Sequence, residues 1–508
     1  MCKEERQQAT STELTGGTGF TYEDTVVAYY LAALLREERA AGLSGVVKTV
    51  AVQQAGHGRP MDDIIIELDD DGSQRRLNLQ VKRTIQISAA TTNNDFRDVL
   101  SRSVATRATD DFNVDLDAYG FVAENVASGR FRALNRLIDW AKSSPSGEDF
   151  SRRFAPGGAA AAAERSLRNE LAPLIGAQSA DDERRFYTQF VALNLNGLTE
   201  GGILRTEVIN RLQELVAVNE NGHDLLLFDR LCRTARDAAG TARKWTRPTL
   251  LAELRGAMRL KVAPNYRSDI DLLRSFSIDG LEDVSEEIVG FRVERPLLEK
   301  SIRDRLAECR LVNLSGLPGC GKSAMLKRIA SVDATNGPIL FLKSDRLAGG
   351  SWLTFAATLG LQHRMVLDLL AEIGSTGTPI LFIDSIDRVR PDQKGIITDI
   401  LRAIEDNEQL ANWKVLASSR DQGLEAYRAW FPASFYRGTG IGDVPIDGFS
   451  DEEAEVLAKE KPTLRRLLFG PKGVSEIARR PFFAAVLAGS FPDDSATPQT
   501  EVDLISAW

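Results

Sequence analysis

Residues 311–330 read LVNLSGLPGCGKSAMLKRIA, and no other segment restricts the fold so tightly. It contains Gly316-Leu-Pro-Gly-Cys-Gly321-Lys322-Ser323, a full G-x-x-x-x-G-K-S pattern. Leu311, Val312 and Leu314 ahead of it read as a buried strand. Ala324, Met325, Leu326 and Ile329 after it recur at helical spacing. A strand, a glycine-rich turn and a helix start, in that order, let backbone N–H groups converge on phosphate oxygens. The helix N-terminus adds its partial positive charge. Gly316, Gly319 and Gly321 then form the arch, Lys322 reaches the β- and γ-phosphates, and Ser323 holds Mg²⁺. The cofactors expected are ATP or ADP with Mg²⁺.

The text around the arch alternates strand and helix. GPILFLKSD, TPILFIDSID and NWKVLASSRD are short, nearly continuous apolar runs, the signature of parallel strands covered on both faces. The second ends in Asp384, placed to support the magnesium ion. Ser385 stands where a water-polarising glutamate is common, so Asp387 is the nearest acid for water activation, with a helix cap as its other reading. The third ends in Ser419-Arg420, where Arg420 could donate a fork of hydrogen bonds to a terminal phosphate, or form a surface ion pair.

The bulk numbers allow three or so domains in 508 residues. A net charge of −9 excludes a uniformly basic nucleic-acid binder but permits a local basic groove. Cys2, Cys232, Cys309 and Cys320 are scattered, as are His57, His223 and His363, so no zinc spacing arises and a reduced, cytoplasmic protein is expected. The polar N-terminus has no signal-peptide core, and VVAYYLAALL is too short to span a bilayer, so no membrane partner is expected. The chain stops at ISAW, soon after an apparent helix start, and is expected to continue in the natural protein.

The first hundred residues carry a second constellation. A helical stretch over residues 20–42 is followed by VVKTVAVQQ, DDIIIELDD, the turn Asp71-Gly72-Ser73 and RRLNLQVKR. Strand residues at i and i+2 share a face, so Gln80 and Lys82 point together, and Asp62 or Asp63 at the start of the preceding strand can meet them. One or two carboxylates there would bind a divalent cation that activates water. Lys82 would orient the water or neutralise developing charge. Glu23, on the first helix, could add a carboxylate. A solvated strand face is the competing reading. Residues 127–285 read as mostly helical, and the text after Asp443 is helical again.

Two resemblances follow from these residues. Residues 285–500, with Val289-Gly290-Phe-Arg292, the GLPGCGKS arch, FIDSID, the SSR strand end and Arg479-Arg480-Pro481-Phe482, resemble the STAND class of P-loop NTPases in its NACHT-like branch. That resemblance implies that Gly290, Arg292 and Pro481 flank the adenine. Arg388 departs from the family, which commonly has an acid there. Glu23, the D…Q-x-K pair of strands and Gly16-Gly17-Thr-Gly19-Phe-Thr-Tyr22-Glu23-Asp24 resemble PD-(D/E)xK nucleases of the Mrr-like, dsDNA-endonuclease kind. That implies Asp63 and Glu23 as metal ligands, with Asp62 close behind Asp63, and phosphate contacts from Arg83, Arg97, Arg102 and Arg107.

The fold class expected is α/β. A restriction-endonuclease-like α/β/α domain with helical insertions spans 1–225, a helical linker 226–285, a P-loop NTPase with a parallel sheet 286–445, and a helical subdomain 446–508. This architecture resembles antiviral STAND (Avs) proteins. It implies an ATP switch that forms a homo-oligomer when a phage protein is sensed by a C-terminal region beyond this chain, and then cuts double-stranded DNA. The alternatives are an ATP-dependent restriction or repair nuclease and a non-catalytic, nucleotide-switched DNA-binding scaffold.

Overall fold

The computed structural model describes residues 20–216, 223–255, 257–258, 260–420, 429–436 and 441–490. The expectations for Gly16, Gly17, Gly19 and the ISAW end lie outside the described residues. The chain divides into two compact units, Met1–Lys261 and Val262–Trp508.

The first unit is built on a six-stranded mixed sheet. Its strands are β1 (Val46–Val52), β2 (Ile64–Asp70), β3 (Ser73–Ile85), β4 (Ala118–Val126), β5 (Phe190–Asn194) and β6 (Lys244–Thr246), in the order β5-β4-β3-β2-β1-β6. The first three form an antiparallel meander. The β2–β3 turn is tight because Asp71 and Gly72 both have positive φ, 51° and 88°. β4 and β5 run parallel to β3, after crossovers through the helix Asn94–Arg107 and the helices between 128 and 189. On β4, Tyr119, Phe121 and Ala123 join Phe96, Leu100, Leu134, Leu137 and Phe186 in one apolar cluster. The alternate positions Gly120 and Val122 are buried too, so both faces of this strand are covered. The helix Tyr22–Arg36 packs on β1 and β3.

The second unit has a five-stranded, wholly parallel sheet. Its strands are β7 (Leu311–Ser315), β8 (Leu340–Lys343), β9 (Ile380–Asp384), β10 (Lys414–Ser418) and β11 (Ile441–Pro445), in the order β11-β7-β10-β9-β8. β10 therefore lies between β7, which leads into the glycine arch, and β9, which carries Asp384. The short helices from Asp451 to Ser490 bury Leu457, Leu467, Val474, Ile477 and Leu487 in their own cluster. No helix among the described residues is long and apolar enough to cross a membrane.

Three strands depart from the helical expectation. β5 and β6 fall within the mostly helical text of 127–285, and β11 includes the start of the helical text after Asp443. The linker expected at 226–285 is also not a separate element. The helix His223–Asp237 packs on the helix Tyr22–Arg36, and β6 completes the first sheet. Further on, the helix Arg267–Glu282 packs on β8, where Ser277 Oγ donates to Ile339 O at 3.2 Å and accepts from Phe341 N at 3.1 Å.

Gly120 on β4 shows how closely this sheet is fitted. A Cβ built there would meet Val191 O on β5 at 1.8 Å. Gly120→Ala is expected to destabilise the first unit by about 3 kcal/mol, read as a lowered midpoint in thermal or urea unfolding.

Candidate functional site

The phosphate arch stands at the end of β7. Gly316, Gly319 and Gly321 have φ of 144°, 84° and 93°, a backbone that side chains other than hydrogen rarely allow. A Cβ on Gly316 would strike Ile446 O at 2.3 Å. The helix Lys322–Ala334 starts directly after the arch, with Lys322 Nζ donating to the carbonyls of Gly316 (2.6 Å) and Leu317 (3.0 Å).

Asp384 organises the far wall. It is buried at the end of β9, and its Oδ1 accepts from Ser323 Oγ at 2.7 Å and Ser418 Oγ at 2.8 Å. Ser418 Oγ in turn accepts from Ser385 N at 2.8 Å, which fixes Ser385 at a positive φ of 57°. The hydroxyl of Ser323 and the carboxylate of Asp384 are hard oxygen donors of the kind magnesium takes. With the glycine cradle beside them, the residues present fit a magnesium–nucleotide complex. Ser323 and Asp384 would hold the ion, and Lys322 would neutralise the outer phosphates.

A pocket of about 440 Å³ opens over the arch, lined by Gly319, Gly321, Lys322, Ser323, Asp387, Arg420 and Pro481 among others. Arg420 Nε lies 3.1 Å from Asp387 Oδ2, so the expected phosphate sensor and the expected water-activating acid are brought together. Pro481 lines the wall, its Cγ 3.2 Å from where a Gly321 side chain would start. Gly290 and Arg292 do not line the pocket. Gly290 (φ 77°) sits in a tight turn with Val289 (φ 47°), and Arg292 turns to Glu294 at 2.7 Å. The wall is formed instead by Val284–Ile288 just upstream. Ser418 was not singled out from the sequence. Its signal is the register, since pairing Ala417 with Ile383 puts Ser418 level with Asp384.

In the first unit, the start of β2 meets β3 as expected. Asp63 Oδ2 accepts from Val81 N at 2.8 Å, and Asp62 Oδ1 accepts from Gln80 Nε2 at 3.4 Å. Asp62 is also held by Arg102 at 2.5 Å, and Lys82 Nζ lies 3.7 Å from Asp95 Oδ1. Burial pushes the Asp63 carboxyl up to about 6; Asp62 adds to this, while the Val81 N–H, Lys82 and Arg102 pull it down. Glu23 does not complete a metal cage: among the described residues no three His, Cys, Asp or Glu side chains are grouped to hold an ion. Of the arginines expected on DNA phosphates, Arg102 is spent on Asp62 and Asp98, Arg107 on Asp182 and Arg97 on the Ala89 carbonyl. Arg83 is largely exposed, 3.5 Å from Glu124.

The raised Asp63 value has a sign that can be tested. An aspartate that titrates near 3.8 when unfolded and about 6 when folded adds stability below pH 4, and that stability is lost as the pH rises through 6. Asp63→Asn is expected to stabilise the first unit at pH 8 by about 3 kcal/mol, with little gain at pH 4. Thermal unfolding at the two pH values measures this.

Residues 312–425 match the family model "ATPase family associated with various cellular activities (AAA)". No curated protein matches the chain. Among solved structures, the Cap4 SAVED/CARF-domain containing receptor of Acinetobacter baumannii is 12% identical, covering 79% of this chain and 70% of its own, with a TM-score of 0.30. A Walker-type ATPase of Pyrococcus abyssi is 13% identical over 44% of this chain and 75% of its own (TM-score 0.31). A RuvB variant of Thermotoga maritima is 18% identical over 46% and 72% (TM-score 0.24). Likeness at these scores says nothing of what this chain binds or does. The family match and the strand–arch–helix geometry agree on one conclusion: around residues 312–425 the chain carries an AAA-type P-loop ATPase domain.

Proposed function

We propose that this chain is a nucleotide-controlled nuclease of an antiphage defence system, in which the ATPase domain binds ATP with magnesium and the N-terminal unit cuts double-stranded DNA. The observation that carries the nuclease half is the junction of β2 and β3, where Asp62, Asp63, Gln80 and Lys82 are neighbours. A divalent cation bound there would supply Lewis-acid chemistry and an activated water. Asp63 and Gln80 would hold it, and Lys82 would neutralise charge building on the attacked phosphate. Arg102 engages Asp62, which favours Asp63 as the ligand. In the ATPase domain, Lys322 binds phosphate and Asp387 takes up the proton of the attacking water, its orientation set by Arg420. The resemblance to antiviral STAND proteins supports assembly into a homo-oligomer when a phage component is sensed.

The test uses the full chain with plasmid DNA, ATP and Mg²⁺ or Mn²⁺. Lys82→Ala is expected to lower cleavage by about a hundredfold or more while ATP binding stays within about twofold. Lys322→Ala is expected to weaken ATP binding by about tenfold or more. Unchanged cleavage by Lys82→Ala would sink the site assignment. DNA binding without any cleavage would favour the nucleotide-switched scaffold, and DNA-stimulated ATP turnover would favour the restriction or repair nuclease.

A further inference from the structure

Arg388 ends the short helical turn Ile386–Arg388 that follows β9. Its backbone N–H donates to Ser385 O at 2.9 Å, which fixes where the side chain leaves the main chain. The side chain is exposed and lines the pocket over the arch. It also lines an adjoining pocket of about 720 Å³, which includes Ser323, Asp384 and Ser385. Ser323 and Asp384 are the residues that would hold a magnesium ion, beside the outer phosphates. A side chain bordering both spaces therefore flanks the end of the polyphosphate rather than its base.

The other cations around these pockets already have partners. Lys322 is on the arch carbonyls, Arg420 on Asp387, Lys343 on Asp283 and Asp345, and Arg390 on Asp392. Among the described residues, no carboxylate or carbonyl is paired with the Arg388 guanidinium. A guanidinium cannot take a proton from water at neutral pH, so this position offers no base. What it offers is a planar fork of donors matched to phosphate oxygens.

We propose that Arg388 binds the terminal phosphate of a nucleoside triphosphate, so that the site grips ATP more firmly than ADP. The inference rests on the nucleotide-binding reading of the arch. A terminal phosphate brings about two negative charges, and Asp384 and Asp387 stand close by. A second arginine beside Arg420 offsets that repulsion only when the third phosphate is present.

Calorimetric titration of the full chain with Mg²⁺ and either ADP or the non-hydrolysable analogue AMP-PNP separates the outcomes. Arg388→Ala is expected to weaken AMP-PNP binding by about tenfold or more and ADP binding by less than about twofold. Arg388→Lys should recover part of the loss, because a point charge replaces the fork. Arg388→Glu should weaken AMP-PNP further. Unfolding midpoints equal to wild type would show that each variant is folded, as an exposed position predicts. Equal weakening of both nucleotides, or no change in either, would overturn the role of Arg388. Failure of the wild-type chain to bind either nucleotide would instead remove the reading of the arch on which this inference stands.

Discussion

One carboxylate oxygen, Asp384 Oδ1, accepts hydrogen bonds from hydroxyls that arrive on two different elements. Ser323 comes from the first turn after the arch and Ser418 from the end of β10. Because β10 separates β7 from β9, the two functional strands stand two strand spacings apart, about 10 Å. Ser323 reaches across that gap directly, and Ser418 meets the same oxygen from the strand between. The arch, Asp384 and the strained Ser385 are thereby held in one arrangement. In a site this buried, an unmatched carboxylate oxygen would be costly, so the three groups stand or fall together.

The arch was legible because its chemistry is local. Glycine positions, a lysine, a serine and the flanking apolar runs all sit within twenty residues, and backbone geometry alone demands them. Asp384 was legible for a related reason, as the polar end of a fully buried strand. Ser418 was not, because its value depends on which strands are neighbours, and strand order is not written in any one segment. β6 is three residues long, and β11 contains Gly442 and Pro445, so neither shows the apolar run that announces a strand. Gly290 and Arg292 illustrate the opposite error. The residues are present, but a left-handed turn takes the glycine, and a neighbouring glutamate takes the arginine.

The N-terminal site shows a different division. Alternation along a strand puts Gln80 and Lys82 on one face of β3, where Gln80 meets Asp62 and Lys82 lies nearest Asp95, since the two-residue period needs no tertiary information. The sequence could not separate the two aspartates. Packing does: Arg102 reaches across from the helix Asn94–Arg107 to pair with Asp62, and leaves Asp63 enclosed, with a hydrogen bond from the Val81 N–H and the more distant charges of Lys82 and Arg102 for compensation. Glu23 belongs to a helix whose neighbouring acid, Asp24, is engaged with Arg236, and helical periodicity alone said nothing about that partnership.

The helix Pro481–Ser490 begins hard against the arch. Phe482 N donates to Gly319 O at 3.1 Å, and the Pro481 ring occupies the room that the bare Gly321 leaves. Behind it, Ala484 and Leu487 are locked into the same apolar cluster as Leu457, Leu467 and Ile477. Close-packed interiors pass a displacement along rather than absorb it. A stiff ring set against the glycines of the cradle therefore gives the trailing helices a direct mechanical link to it, through which a shift of the cradle would be felt by the bundle.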